Sequence, residues 1–398
     1  MKKYPHHKLK YCLYLLLLLA FFTPSFSQDT LTNAAYQAID LKPFEDAAHH
    51  WYDISDKDKV VSPVPNQPKY KPTQIIGIAN NILLYQKSNG GWPKNYDMTA
   101  ILTDEQKKKL VRVKKELNTT FDNGTSYTHV AYLARVYTIT KLNKYKEACM
   151  DGIDYILSAQ YRNGGWPQYY PLKNDYSRYI TFNDDVLIGI MEIFKDILDN
   201  QSDYAFIDPK RKDLIKVSFE KGLECILKTQ IKDKDKLTAW CQQYDELSLQ
   251  PAWARKFEPP SICNGEGATV VLFLMSIQNP NKAIIHAIEN AVDWFKRSAI
   301  NGIRVKAVPA PLTVYKFRTS ITDRMVVADT TAPPIWTRYY EIGSLRPVFC
   351  NRDSKVVYAL AEVERERRDG YGWYTYKPKE VLDTYPRWHQ TWVLVANK

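Results

Sequence analysis

Two stretches of the chain place carboxylate and amide side chains at the start of an apolar run. The first is Thr120-Phe121-Asp122-Asn123-Gly124-Thr125-Ser126-Tyr127-Thr128, after which Val130, Tyr132, Leu133, Val136 and Tyr137 follow at helical spacing. The second is Thr181-Phe182-Asn183-Asp184-Asp185-Val186, followed by Leu187, Ile190, Met191 and Ile193. Asp, Asn and Gly favour turns and helix N-caps, so each cluster sits at a helix mouth rather than inside a core. One such mouth alone reads as a helix cap. Two in one fold can face each other, and Asp122, Asn123, Asp184 and Asp185 then make an oxygen-rich, thiol-free donor set. That set suits calcium or magnesium rather than zinc. No EF-hand spacing is present, so such a site would be assembled across the fold.

Basic groups come in two places. Arg255 lies in Pro251-Ala252-Trp253-Ala254-Arg255-Lys256-Phe257-Glu258-Pro259-Pro260-Ser261, where prolines on both sides exclude a helix interior. The bland reading of Arg255 is an ion pair with Glu258. Arg338, Arg346 and Arg352 sit among aromatics in 336–353, and clustered guanidinium forks are what carboxylate-bearing sugars require. Their bland reading is loop packing against Glu341 and Asp353. Arg365, Arg367 and Arg368, interleaved with Glu364 and Glu366, read as a solvated helix face. Trp92 and Trp166 each stand in an Asn-Gly-Gly-Trp-Pro loop. An aromatic plate of this kind either stacks on a sugar or folds onto the core.

The elements that must hold these residues are repetitive. A helix over 75–85 runs into Gln86 and then Asn89-Gly90-Gly91-Trp92-Pro93. Another, containing Gly152–Leu157, runs into Gln160 and Asn163-Gly164-Gly165-Trp166-Pro167. Asn89 and Asn163 are 74 residues apart. Gly222–Leu227 with Gln230 and Trp240 reads as a decayed third copy, and Ala291–Phe295 with Asn301-Gly302 as a fourth. Between them, helices are predicted over 127–140, 184–198, 266–277 and 353–368. A period near 70 with two helices and a long loop per unit exceeds the common short helical repeats. The expectation is an all-α fold, an α/α toroid of helical pairs closed into a ring, with the long loops forming a cleft; an open solenoid is the alternative. Strand signals are sparse: 303–308, 312–317 and 325–327 read as short hairpins.

Of the 398 residues, 45% are hydrophobic and 13% aromatic, enough for a large core. Lys2, Lys3, Lys8 and Lys10 precede an apolar run from Tyr11 to Phe22 and a small-residue site at Ser25-Phe26-Ser27, the pattern of a cleaved signal peptide. The expected division is 1–27 signal peptide, 28–72 N-terminal arm with one helix near 43–52, and 73–398 catalytic domain. Removing the four lysines takes the formal charge from +11 to +7. That balance suits an acidic polymer, but no Lys/Arg block points to nucleic acid. No further apolar run is long enough to span a membrane. A secreted or periplasmic monomer is expected. Five cysteines remain at long spacings, giving neither a disulfide framework nor a zinc site.

In this order, Asn89–Pro93, Phe121–Thr125, Asn163–Pro167, Thr181–Asp185, Thr238–Asp245, Ala254–Ser261, Trp336–Gly343, Arg346–Asp353 and Leu360–Trp373 resemble polysaccharide lyase family ten, the secreted pectate lyases. The resemblance runs from about Ile75 to Tyr374. It implies an α/α toroid, calcium dependence and β-elimination of polygalacturonate. By motif it implies that Asp122 and Asn123 hold calcium or the substrate carboxylate, with Asp184 and Asp185 in the same site. Arg255 matches the catalytic base, and Arg338 and Arg352 match the pair that grips galacturonate carboxylates. As aromatic plates, and apart from the resemblance, Trp92 and Trp166 are expected to contact the substrate. Where family members carry a Ser- and Gly-rich run after the base loop, this chain reads Ile-Cys-Asn-Gly-Glu-Gly. A normal arginine is too basic to act as a base, so the resemblance also implies a desolvated Arg255 whose charge is disfavoured by calcium and nearby guanidiniums. Two rivals remain: a glycoside hydrolase using Asp122 and Asp184 as an acid–base pair, and a non-catalytic binder of acidic glycans.

Overall fold

A computed structural model describes residues 36–53, 59–316 and 318–394. The expected signal segment, 1–27, lies outside the described residues. Eleven α-helices are present among them: α1 (Glu45–Asp53), α2 (Ile75–Tyr85), α3 (Asp104–Arg112), α4 (Tyr127–Thr140), α5 (Asn143–Ala159), α6 (Val186–Leu198), α7 (Pro209–Thr229), α8 (Asn264–Met275), α9 (Lys282–Ser298), α10 (Arg365–Gly370) and α11 (Lys377–His389). They form two layers. Helices α4, α6, α8 and α11 pack in succession, while α2, α5, α7 and α9 back them. Helix α2 carries no charged residue and is apolar nearly all round, as expected for a helix buried in a large core, whereas α6 keeps a polar stripe of Glu192, Lys195 and Asp196 opposite its buried face.

The repeat seen in the sequence is a repeat of hydrogen bonds. Gln86 Nε2 donates to the carbonyls of Gly90 and of Ala148 in α5, both at 2.9 Å. Gln160 does the same to Gly164 and to Ser218 in α7. Gln230, in the decayed copy, does it to Thr238 and to Ala287 in α9. Each glutamine therefore ties its own loop to the next helix along. The first glycine of each Asn-Gly-Gly turn is required twice over. Gly90 and Gly164 have φ of +87° and +93°, and a Cβ there would lie 2.2 Å from the Asp151 carbonyl oxygen and 1.9 Å from that of Lys221.

The tryptophans close the pattern. Trp92, Trp166 and Trp240 are fully buried, and each indole N–H donates to the helix before its loop, at Ile82, Ile156 and Ile226. Trp336 does likewise to Phe295 in the fourth unit. A buried indole with its one donor satisfied is a core plate, fixing where each loop leaves its helix.

Strands are few and short apart from one hairpin. Ile303–Val314 pairs antiparallel with Thr319–Ala328, so the expected short segments join into one long ribbon. Phe317, at the end of one of those segments, lies outside the described residues. The pairing shifts between Pro309 and Thr313, where Pro309 and Pro311 lack the N–H a ladder needs. The helix expected over 353–368 does not form. Val356–Val357 is a strand, Leu360–Glu362 a single turn, and only Arg365–Gly370 is helical. Nor are the arginines there solvated. Arg365 donates to the carbonyls of Thr322 and Pro311, and Arg368 holds Asp323 at 2.7 and 2.6 Å, so both pin the hairpin. Arg367 is buried against Glu366. All five described cysteines are free and buried, Cys149 and Cys225 in the core as expected.

Candidate active site

Asp122–Gly124 and Asn183–Asp185 each form a single 3₁₀ turn leading into α4 and α6. Both turns carry a left-handed residue at the same step, Asn123 at φ 52° and Asp184 at φ 52°. Asn and Asp tolerate this region because their short side chains bond locally. The two turns meet, bringing Asp122 and Asp184 within hydrogen-bond reach of each other.

Their environments differ. Burial would raise the Asp122 carboxyl, but Lys94 Nζ at 2.7 Å and Gln168 Nε2 at 2.7 Å hold it below the usual carboxylate range. Asp184 has no such cation against it. Crowding by protein and the charge of Asp122 push its carboxyl well above the usual range, although one face stays open to solvent through the cleft. Two facing carboxylates with one lysine, against Asp122 alone, call for a further positive charge. The donors are oxygens only: Asp122, Asp184 and the amides of Asn123 and Asn183. This set fits a hard cation such as calcium, with the remaining six- to eight-fold shell to be filled by water and substrate carboxylate. No group of three or more His, Cys, Asp or Glu that could hold a metal is present among the described residues. Asp185 does not join the pair: it is exposed, and its carboxylate lies 3.8 Å from Lys377.

A cavity of about 220 Å³ opens over the pair, and Arg255 lies in its wall. Its loop turns so that Nε and Nη2 clasp Glu258 at 2.8 and 2.5 Å, while its main-chain N–H donates to the same carboxylate at 3.0 Å. Burial disfavours the charge on Arg255, but Glu258 outweighs it and holds the guanidinium proton more tightly than water would. The side chain is still 45% exposed, within reach of a molecule in the cavity.

Arg338 lies on the far side of Asp184. Its Nη2 donates to Glu266 Oε1 at 2.6 Å and Asn183 Oδ1 at 2.7 Å, and its guanidinium sits 4.8 Å from the Tyr371 ring. It lines a second cavity of about 290 Å³ that also reaches Asp184. Arg352 is bound bidentately by Glu366 and rests over Phe257, outside the residues that line the first cavity. Trp92 and Trp166 are corrected: at 0% exposure neither can stack on a substrate.

Several lining residues were missed. Lys94, Gln168 and Gln242 occupy the same step of three successive repeats, each two residues after Trp92, Trp166 or Trp240. Lys94 and Gln168 line the cavity and bond the two oxygens of Asp122, whereas Gln242 is fully buried and meets the Tyr339 hydroxyl at 2.7 Å. Asp46 and His50 of α1 also enter the cavity, so the N-terminal arm forms part of its wall.

His129 is no base. It is buried, stacks on Trp92 and accepts the Ser126 N–H at Nδ1. Burial lowers its pKa to about 3. Below the ordinary value of about 6.5 the unfolded chain takes up a proton that the native one refuses until about pH 3. His129 thus leaves stability intact above about pH 6.5 and erodes it as pH falls, by up to ~1.4 kcal/mol per pH unit. Urea melts of the wild type and of His129→Gln between pH 6.5 and 5 test this. The gap should change by about 2 kcal/mol, the wild type losing more; parallel curves would refute it.

A family model described as pectic acid lyase matches residues 86–382. The fold is similar to a family 10 polysaccharide lyase from Cellvibrio cellulosa, with a TM-score of 0.67 and 27% identity, over 78% of this chain and 91% of that one. It is also similar to an aspartate-to-alanine mutant of a family 10 polysaccharide lyase from the same organism, in complex with trigalacturonic acid. There the TM-score is 0.66 and the identity 26%, over 79% of this chain and 92% of that one. Among curated proteins, none matches.

Proposed function

The chain belongs to the pectic acid lyase family and is a polysaccharide lyase of the pectate lyase type; we propose that it cleaves polygalacturonate by calcium-assisted β-elimination with Arg255 as the base. The single observation that carries this reading is the convergence of Asp122, Asp184 and Arg255 on one cavity. The complex of the similar enzyme with trigalacturonic acid supports the substrate class.

Galacturonate carries its carboxylate next to C5, so removal of the C5 proton leaves an enolate-like charge that needs stabilising. Asp122 and Asp184 would hold calcium, with Asn123 and Asn183 amides beside them. When bound there, calcium draws charge from the substrate carboxylate and makes the C5 proton more acidic. Lys94 and Gln168 keep Asp122 ionised and aimed. Arg338 presents charge at the Asp184 side for a uronate carboxylate. Arg255 faces the same space and would take the C5 proton; the C5–H electron pair forms the C4–C5 double bond, the C4–O bond breaks and the departing oxygen takes up a proton from solvent, to which Arg255 releases its own, so no water is consumed. The hydrolase rival fits poorly: glycosidase carboxyl pairs stand about 5–9.5 Å apart, whereas Asp122 and Asp184 are within hydrogen-bond reach.

The order of the two helical layers supports an α/α toroid, and an exported monomer remains our reading of the N-terminal segment. No described helix is long and apolar enough to cross a membrane. Incubation with polygalacturonate, with calcium and with a chelator, followed by ultraviolet absorbance of the 4,5-unsaturated product, tests the reaction. Asp184→Ala should raise the calcium concentration for half-maximal activity by roughly tenfold or more, as expected when a ligand rather than its support is lost. Calorimetric calcium binding in the presence of substrate should weaken in parallel. Unaltered calcium binding would remove Asp184 from the metal site.

A further inference from the structure

We propose that Glu258 is the positioning residue of the base, locking two of the three guanidinium nitrogens of Arg255 so that the third, Nη1, is presented to the substrate. This rests on the reading of Arg255 as the base. Glu258 takes Nε, Nη2 and the main-chain N–H of Arg255, and Nη1 makes no hydrogen bond among the described residues. A guanidinium held at one edge by a bidentate carboxylate has one direction left for its remaining nitrogen.

The clamp is itself held. Glu258 is 2% exposed, and Pro259 and Pro260 follow it directly, which fixes the backbone on that side. Tyr371 donates its hydroxyl to Glu258 Oε1 at 2.8 Å and shares a further hydrogen bond with Tyr339. The Tyr339 hydroxyl meets the Gln242 side-chain amide at 2.7 Å, and the Gln242 carbonyl accepts the N–H groups of Phe182 and Asn183 at 2.8 and 3.1 Å. The base loop is thereby tied to the turn that carries Asp184. One hydrogen-bonded chain sets the separation between the group that takes the C5 proton and the group that serves the carboxylate beside it.

A carboxylate against a would-be base has a second effect, opposite in sign. Its charge favours the protonated guanidinium and so opposes base action. The two roles give opposite outcomes for Glu258→Gln, which keeps the shape and can still accept from Tyr371. If positioning dominates, kcat on polygalacturonate falls roughly tenfold to hundredfold across the pH range, as small misplacements of reacting groups do. KM should stay within about twofold, because the clamp does not grip substrate. Glu258→Asp should recover part of the loss, since it restores the carboxylate at a shorter reach. A Glu258→Gln kcat equal to or above that of the wild type at the same pH overturns the proposal and leaves the carboxylate as a brake on the base. Arg255→Ala runs alongside. If it keeps its kcat, the base reading fails; if it loses kcat and Glu258→Gln does not, only the positioning role fails. Should Glu258→Gln not fold, Tyr371→Phe loosens the clamp from behind. A several-fold fall in kcat at constant KM is then expected, and unchanged kcat overturns the proposal.

Discussion

Arg255→Ala should lower kcat on polygalacturonate by roughly 10²–10⁴-fold, the usual cost of losing a general base. Pectate affinity measured by calorimetry should change little, because Arg338, Lys94 and the Asp122–Asp184 pair lie on other elements. The fold should survive the change at a cost in stability, because Glu258 loses its cation while buried. Glu258 would lose the guanidinium but keep the Tyr371 hydroxyl and the main-chain N–H of residue 255, neither of which depends on the side chain. Arg255→Lys should rescue poorly, since an ammonium cannot occupy two carboxylate oxygens and still present a third nitrogen. In the wild type, Glu258 holds the guanidinium proton tightly, so only a small fraction is neutral near pH 7. For a base in that state, kcat rises with pH, approaching tenfold per unit, until another group or unfolding intervenes. The Arg255→Ala residual rate should lack this rise. A normal kcat in Arg255→Ala would send the search to Lys256. A joint loss of kcat and affinity would make Arg255 a substrate clamp instead.

How far the sequence reveals this site depends on whether its signal is local. Helix α2 and helix α4 were legible to the residue, because a run such as Ile75, Ile76, Ile78, Ala79, Ile82 and Leu83 needs only its own spacing. The two acidic turns were legible for the same reason, and their pairing followed from the repeat. The stretch 353–368 was not. Its charges read as a solvated helix, yet Arg365 and Arg368 answer to the hairpin, far away in sequence, and that pairing overrides local propensity. The Trp92 and Trp166 plates failed as sugar platforms because an aromatic in a Gly-rich loop has the same sequence whichever way it folds. Only the indole bond back to the preceding helix decides it. Lys94 and Gln168 were recoverable. The 74-residue offset that aligned the tryptophans also aligns Lys94 with Gln168, a phase that puts a polar side chain at the cleft in the first two units. Asp46 and His50 carried no such mark, since α1 lies outside the repeat.

Arg338→Ala is expected to do more than the sequence suggests. Read as a substrate grip in an exposed loop, the change would raise KM and leave the fold alone. In the structure the side chain is only 20% exposed and is the cation against Glu266, itself nearly buried. Burial works against the Arg338 charge, yet Glu266 and the neighbouring groups hold its proton far more tightly than water would. Removing it strands Glu266 and should cost about 3–5 kcal/mol of stability, read from the denaturant midpoint at constant slope. Its second bond matters for the site. Arg338 holds Asn183 Oδ1, and Asn183 Nδ2 in turn donates to Asp184 Oδ2 at 2.5 Å, so the loss reaches the acidic pair. Nη1 of Arg338 makes no hydrogen bond among the described residues, which leaves a donor for a uronate carboxylate beside Asp184. Stability and binding can be separated with the double variant Arg338→Ala/Glu266→Gln. Neutralising Glu266 should recover most of the stability, because the stranded charge is gone. It should not recover affinity, because the guanidinium is still missing; a loss of roughly tenfold to hundredfold in pectate affinity should persist, as for one charge-assisted pair. If the double variant regains wild-type KM together with its stability, Arg338 is a structural cation alone, and uronate recognition on that side must come from Lys377 or from the metal.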